Sequence, residues 1–237
     1  MRKSALITGS AKRIGKEISL HLSKIGYNIA LHFNSSEEDA LDTQKYIINN
    51  GGICKIYKAD FSIENEVLSL FSNVKNDFNN IDLLINNASI FERFNLKESS
   101  IEFINKIIEI NLKAPLLLIK EFANQNICGN IINILDSKIF KNDNNYFLYA
   151  LTKKSLAYAT KMAALEFSPN IRVNGIALGL IINSQDNNKK KFENFIDKIP
   201  LKREGEITNI LHTIDFILEN NYLTGEIISI DGGMFLK

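Results

Sequence analysis

The chain is expected to fold as a single α/β domain, a doubly wound parallel sheet of about seven strands with helices on both faces. Two observations lead there. Short apolar runs alternate with helix-length periodic segments from one end of the chain to the other, the pattern of strands joined by helical crossovers. No linker, internal repeat or low-complexity block divides the 237 residues.

The elements follow in order. A first strand is predicted over Ser4–Thr8. The next helix carries Ile14, Ile18, Leu22 and Ile25 as an apolar stripe at helical spacing. A second strand covers Asn28–Phe33, then a helix from Ser36 to about Asn50, with Ser35 and Glu38 spaced as a capping box. Gly51-Gly52 ends it, and a third strand runs Ile53–Lys58. The helix after Ser62 buries Val67, Leu70, Phe71 and Val74. Ile81–Ile85 is the fourth strand and Ser100–Asn126 one long helix. Pro115 lies inside that helix, where its missing N–H leaves the Asn111 carbonyl free and kinks the chain. Ile131–Leu135, a helix reaching Phe167, Ile171–Ile176, a helix over Glu206–Glu219 and a last strand, Ile227–Ile230, complete the sheet. The polar stretch at about 179–200 is a candidate lid.

Composition narrows the function. A net charge of +1 gives no electrostatic reason to expect nucleic acid or an anionic membrane surface as partner. No apolar run approaches the roughly 18 residues of a membrane span. Cys54 and Cys128 have no metal-ligand spacing, and His21, His32 and His212 form no cluster, so no metal is assigned. A reducing cytoplasm fits this cysteine usage. Lys189-Lys190-Lys191 reads best as a solvated helix face.

The chemistry concentrates at predicted strand ends. Tyr149 and Lys153, at i and i+4, share one helix face, and an ammonium beside a phenol is expected to lower its pKa. Asp136 ends an interior strand at its carboxyl edge, where open α/β sheets bind ligands. A cap or turn Asp starting the loop Ser137–Phe147 is the alternative at that place; in the family resembled below, a one-residue shift would put Ser137 in the catalytic position. Thr8-Gly9 through Arg13-Ile14-Gly15 joins the first strand to the first helix, a place where glycines and a helix N-terminus receive a pyrophosphate. The second strand ends in Asn34, Ser35 and Ser36, with no acid before Glu37, which suits a 2′-phosphate and favours NADP over NAD. Asn86-Asn87-Ala88-Ser89 follows the fourth strand, and Phe91 offers a ring that would stack on a flat ligand.

Together with Ala59-Asp60, Asn111, Arg172-Val173-Asn174 and Leu223-Thr224-Gly225 through Asp231-Gly232-Gly233, these residues resemble the short-chain dehydrogenase/reductase family over essentially the whole chain, with its Rossmann-type fold. Within it the chain looks most like the pteridine reductases and the dihydromonapterin and dihydrofolate reductases. Arg13 stands where the usual cofactor loop has a glycine, Ser89-x-Phe91 replaces a glycine ending, and Asp136 holds the place of the usual catalytic Ser.

The resemblance implies NADPH as cofactor. Gly9, Arg13, Ile14 and Gly15 would hold its pyrophosphate and ribose, Asn34, Ser35 and Ser36 its 2′-phosphate, and Asp60 its adenine. Asn87 and Ala88 would line the adenosine ribose, and Tyr149 and Lys153 would meet the nicotinamide ribose. Catalysis would fall to Asp136, Tyr149, Lys153 and Asn111, the last through a water relay. Ser89, Phe91 and Tyr146 would contact a pterin or folate substrate. The resemblance also implies a homotetramer built on the helices around Asn111 and Tyr149–Phe167, whose Leu116–Ile119, Leu156, Ala157, Ala163 and Ala164 look surplus to one sheet face. A 3-oxoacyl-carrier-protein or other carbonyl reductase is the alternative enzyme, and a non-catalytic NADP sensor the alternative of another class.

Overall fold

The computed structural model describes residues 2–181 and 196–236. Its sheet has seven strands, all parallel, in the order β3-β2-β1-β4-β5-β6-β7. The strands are β1 (Ser4–Ile7), β2 (Asn28–Phe33), β3 (Cys54–Lys58), β4 (Leu83–Asn86), β5 (Gly129–Asp136), β6 (Ile171–Leu178) and β7 (Ile227–Ile230). The helices are α1 (Arg13–Lys24), α2 (Glu37–Asn49), α3 (Glu64–Phe78), α4 (Ile101–Ile108), α5 (Ala114–Ala123), α6 (Phe147–Phe167) and α7 (Ile207–Glu219).

Alternation along β1 divides the core. Ala5 and Ile7 face one side with Ile18 and Leu22 of α1 and Ile210, Ile214 and Ile217 of α7. Leu6 faces the other with Val67, Leu70, Phe71 and Val74 of α3 and Leu118 and Phe122 of α5. Strand order reverses between β1 and β4, so the crevice outside their carboxyl ends is the ligand position such a sheet creates. The site residues of β2, β4 and β5 open onto the same edge.

Several expectations need correction. Ile25 lies just past the end of α1 and is half exposed, outside the stripe kept by Ile18 and Leu22. Ser36, not Ser35, precedes α2, and its side chain makes no capping bond; Glu37, Glu38 and Asp39 in the first turn favour the helix dipole instead. Ile81 is buried but precedes β4, because the Gln125 side chain bonds both its N–H and its carbonyl. The long helix is interrupted: residues Glu109–Lys113 form a π turn between α4 and α5, in which the Ala114 N–H bonds the Glu109 carbonyl. A wider turn ahead of Pro115 relieves the clash that an α-helical ladder would impose.

The apolar surplus is also redistributed. Leu118, Ile119, Leu156, Ala157, Ala163 and Ala164 are buried in the chain's own core. The large apolar side chains that α5 and α6 leave in water are Leu116, Phe147, Leu151, Tyr158, Met162 and Leu165. The middle of the candidate lid, residues 182–195, with the three lysines, lies outside the described residues. Among the described residues no helix is long and apolar enough to cross a membrane, and no group of three metal-type side chains comes together.

Candidate active site

β5 ends at Asp136, and the chain returns through a short 3-10 turn into α6, whose third residue is Tyr149. That return brings the two together: the Tyr149 hydroxyl donates to Asp136 Oδ2 over 2.9 Å. Asp136 Oδ1 accepts from the Lys138 N–H at 2.7 Å, so each carboxylate oxygen has a partner. Ser137 is buried and donates to the Leu178 carbonyl at 2.9 Å, away from Tyr149. Of the two adjacent candidates, Asp136 is the one beside the phenol.

Lys153 lies one turn beyond Tyr149 and is fully enclosed. Its ammonium donates to the Ile134 carbonyl at 2.9 Å and stands 5.9 Å from the Tyr149 ring centre. The pKa of Tyr149 moves opposite to the expectation. Burial raises it well above 10, and the Asp136 charge and hydrogen bond raise it further. Burial pushes Lys153 down to about 8, with Asp136 opposing. Desolvation and the Asp136 carboxylate thus act in the same direction, and Tyr149 carries its proton at neutral pH.

Asn111, in the π turn, pins the segment after β4. Its Oδ1 accepts from the Ile90 N–H at 2.9 Å and from Ser89 Oγ at 3.2 Å, and its Nδ2 donates to the Ile90 carbonyl at 2.9 Å. Ser89 and Phe91 are thereby held next to Tyr149. The Phe91 ring meets Tyr149 edge-on, with centroids 4.7 Å apart. Phe91 and Tyr146 are stacked on each other, centroids 4.7 Å apart and planes within 8°. The Lys138 ammonium lies 4.7 Å from the Tyr146 ring centre and pairs with Asp143 at 2.7 Å. Phe91 and Tyr146 thus make one aromatic surface beside Tyr149.

The dinucleotide end sits across the switch point. Gly9 has φ +61°, and a Cβ there would stand 2.9 Å from the Ala88 backbone. A Cβ on Gly15 would run into the Gly9 carbonyl. Only glycines permit this approach of loop, helix and the β4 turn. Asn87 ties the same pieces, donating to the Thr8 carbonyl at 2.8 Å and the Gly9 carbonyl at 3.0 Å. Arg13 is exposed and holds φ +53°, a left-handed conformation that costs a non-glycine residue of order 1–2 kcal/mol. It opens α1, with Ile14 half-buried behind it. Asn34 and Ser35 are exposed at the end of β2, and Ser36 is half-buried. Asp60 turns its Oδ1 to the N–H and hydroxyl of Ser62, bonds that hold its carboxyl below the usual range. The glycine cradle, the helix N-terminus and the Asn34–Ser36 rim fit a phosphorylated dinucleotide.

Two contributors were missed in the sequence. Thr8 Oγ1 accepts from both the Asn87 and Ala88 N–H groups at 2.9 Å, joining the ends of β1 and β4. His32, dismissed for lack of a histidine cluster, is buried between the glycine loop and Ala59. The signal for His32 was a polar residue after the apolar run Ile29-Ala30-Leu31 of an interior strand, two residues before the rim.

The fold and this constellation define a dinucleotide-dependent oxidoreductase. The family model described as enoyl-(acyl carrier protein) reductase matches residues 9–235, and the chain belongs to that short-chain dehydrogenase/reductase family. It is 31% identical to the 3-oxoacyl-[acyl-carrier-protein] reductase FabG of Staphylococcus epidermidis, over all of both chains. It is 30% identical to glucose 1-dehydrogenase 2 of Bacillus subtilis, covering 99% of this chain and 95% of that protein. Among solved structures it is similar to FolM alternative dihydrofolate reductase 1 from Brucella canis, complexed with NADP, at a TM-score of 0.92 and 30% identity over 99% of this chain and 95% of the other. The Brucella suis FolM protein in complex with NADP gives 0.92 and 31%, over 99% and 96%.

Lys153 makes a testable contribution to stability. Its folded pKa of about 8 lies below that of the unfolded chain, about 10.4. The unfolded state therefore binds more protons between those values, and the free protein gains stability as pH rises from 8 towards 10. Lys153→Met removes this gain, so wild type should gain roughly 1–3 kcal/mol relative to the variant over that range in urea unfolding. A constant difference would show that Lys153 titrates normally.

Proposed function

We propose that this NADP-dependent oxidoreductase reduces a pterin or folate ring, taking the dihydro compound to the tetrahydro form. The observation that carries the reading is the Asp136–Tyr149 hydrogen bond. The Asp136 oxygens keep free lone pairs beyond their bonds to Tyr149 and the Lys138 N–H, and an acyl chain offers those lone pairs no donor. A pteridine, whose ring and amino N–H groups donate, would use them. The stacked Phe91 and Tyr146 give the same preference, since a flat heteroaromatic ring gains from an aromatic surface. The FolM proteins, alternative dihydrofolate reductases, lend support from a similar fold.

NADPH, when bound, would supply a hydride for the carbon of a ring C=N bond. The Tyr149 hydroxyl would turn its one proton from Asp136 to the nitrogen of that bond, and solvent would return a proton to the phenolate. Asp136 orients the phenol and keeps the proton on it until the nitrogen becomes basic enough to take it. Gly9, Arg13, Ile14 and Gly15 would hold the pyrophosphate and its ribose. Asn34, Ser35 and Ser36 would meet the 2′-phosphate and Asp60 the adenine. Asn87 and Ala88 would line the adenosine ribose, and Lys153, turning from the Ile134 carbonyl, the nicotinamide ribose. Asn111 keeps Ser89 and Phe91 in place for the substrate.

The second reading is a 3-oxoacyl-carrier-protein reductase, favoured by the 31% identity to FabG. It shares the Tyr/Lys pair but leaves Asp136 unexplained. Assays of NADPH oxidation with dihydrobiopterin, dihydrofolate and acetoacetyl thioesters separate the two. The pterin reading expects turnover of a dihydropterin or dihydrofolate, and an Asp136→Ser loss in kcat of roughly 10²–10⁴-fold. Good turnover of acetoacetyl thioesters with no pterin or folate reduced would establish the carbonyl reductase instead.

For assembly, we propose that the exposed apolar side chains on α5 and α6 are the contact. The exposed Leu116, Leu151, Tyr158, Met162 and Leu165 would pair with a second copy, and Met234–Lys237, of which Lys237 lies outside the described residues, would join another contact in a homotetramer. Sedimentation should give about four times the chain mass of 26.8 kDa, and Leu165→Glu should lower it. A monomer at micromolar concentration contradicts the assembly.

A further inference from the structure

His32 is the next-to-last residue of β2 and is almost wholly buried. Its ring stands between two segments of the dinucleotide site. Nδ1 lies 3.0 Å from the Gly9 nitrogen, and Nε2 lies 3.0 Å from the Ala59 carbonyl. The ring stacks on Phe61, with centroids 4.1 Å apart and planes within 8°. The backbone of the same residue grips the loop as well. The His32 N–H donates to Ser10 Oγ at 3.1 Å, and the His32 carbonyl accepts from the Ser10 N–H at 2.9 Å.

The partners dictate the protonation state. A backbone N–H can only donate, so Nδ1 must be bare where it meets Gly9. A carbonyl can only accept, so Nε2 must carry the hydrogen where it meets Ala59. A doubly protonated ring would set Nδ1–H against the Gly9 N–H and break the link. Burial accordingly holds the His32 pKa down to about 4, against opposing contributions from the Ala59 bond and the Asp60 charge.

We infer that His32 is a positioning residue of the dinucleotide site, a strut that fixes the glycine loop at Gly9 relative to the Ala59–Asp60 turn. The inference rests on the dinucleotide reading above and assigns His32 no contact with the ligand. It acts through its neighbours. Gly9 spends its N–H on the ring and is held at φ +61°, which orients the rest of the loop. Ala59 sets where Asp60 stands. The pyrophosphate end and the adenine end of the cradle thus share one side chain as their common reference.

Two variants and one spectrum test this. His32→Phe keeps a ring against Phe61 but leaves the Gly9 N–H and the Ala59 carbonyl unpaired. His32→Asn places Oδ1 close to where Nδ1 stands, keeping an acceptor for Gly9 while losing Ala59. NADPH titrated by fluorescence should bind His32→Phe about tenfold or more weakly than wild type, with His32→Asn recovering most of the loss. In wild type, long-range ¹H–¹⁵N spectra should show His32 with a bare Nδ1 and a protonated Nε2, unchanged from pH 8 to 5.5. Wild-type affinity in His32→Phe, an Nδ1–H tautomer, or titration near the ordinary histidine value would each overturn the inference. Should His32→Phe fail to fold, the wild-type spectrum decides. If wild type binds neither NADPH nor NADH, the dinucleotide reading has failed, and with it the site this strut would serve, whatever the tautomer.

Discussion

The constraint on which the molecule depends is the parallel sheet whose strand order reverses between β1 and β4. Parallel strands place all their carboxyl ends on one edge, so Thr8, His32, Asn86 and Asp136 reach the same side of the molecule from sequence positions far apart. The reversal splays the crossovers to opposite faces and opens the crevice between them. Gly9 and Gly15 then let the α1 end come close to the β4 turn. Without that approach the Thr8 and Asn87 bonds could not bridge the gap.

At the other end of the crevice, the chemistry turns on desolvation. A buried phenol beside a buried ammonium would ordinarily be read as a strengthened acid. Here the charge nearest the hydroxyl is the Asp136 carboxylate, and burial is the larger effect. The phenol becomes a firmly protonated donor instead of a ready phenolate. A carboxylate can also do what a serine hydroxyl cannot: it accepts from the Lys138 backbone on one oxygen and from Tyr149 on the other. It thereby couples the start of the turn after β5 to the reacting group.

Much of this was visible in the chain itself. The alternation of short apolar runs and periodic segments located all seven strands, because a buried parallel strand has no other way to look. The spacing of Tyr149 and Lys153 placed them on one helix face. What stayed hidden was set by tertiary contacts. Whether Asp136 or Ser137 met Tyr149 depended on where β5 stops, a matter of one residue. Ile81 looked like a strand residue until Gln125 took both its backbone groups. Alanines and leucines on α6 looked like an interface, because periodicity alone does not say which side of a helix faces its own sheet. His32 looked idle, because its partners are backbone groups that carry no sequence signature.

The central claim is that Asp136 and Tyr149 face a pteridine ring. The most direct measurement is a crystal structure of the protein with NADP and a dihydropterin. The account predicts the ring against the Phe91 surface, an N–H of the pteridine bonded to the Asp136 carboxylate, and Tyr149 within hydrogen-bonding reach of the pteridine. A pteridine absent from the crevice, or bound away from Asp136, would contradict it.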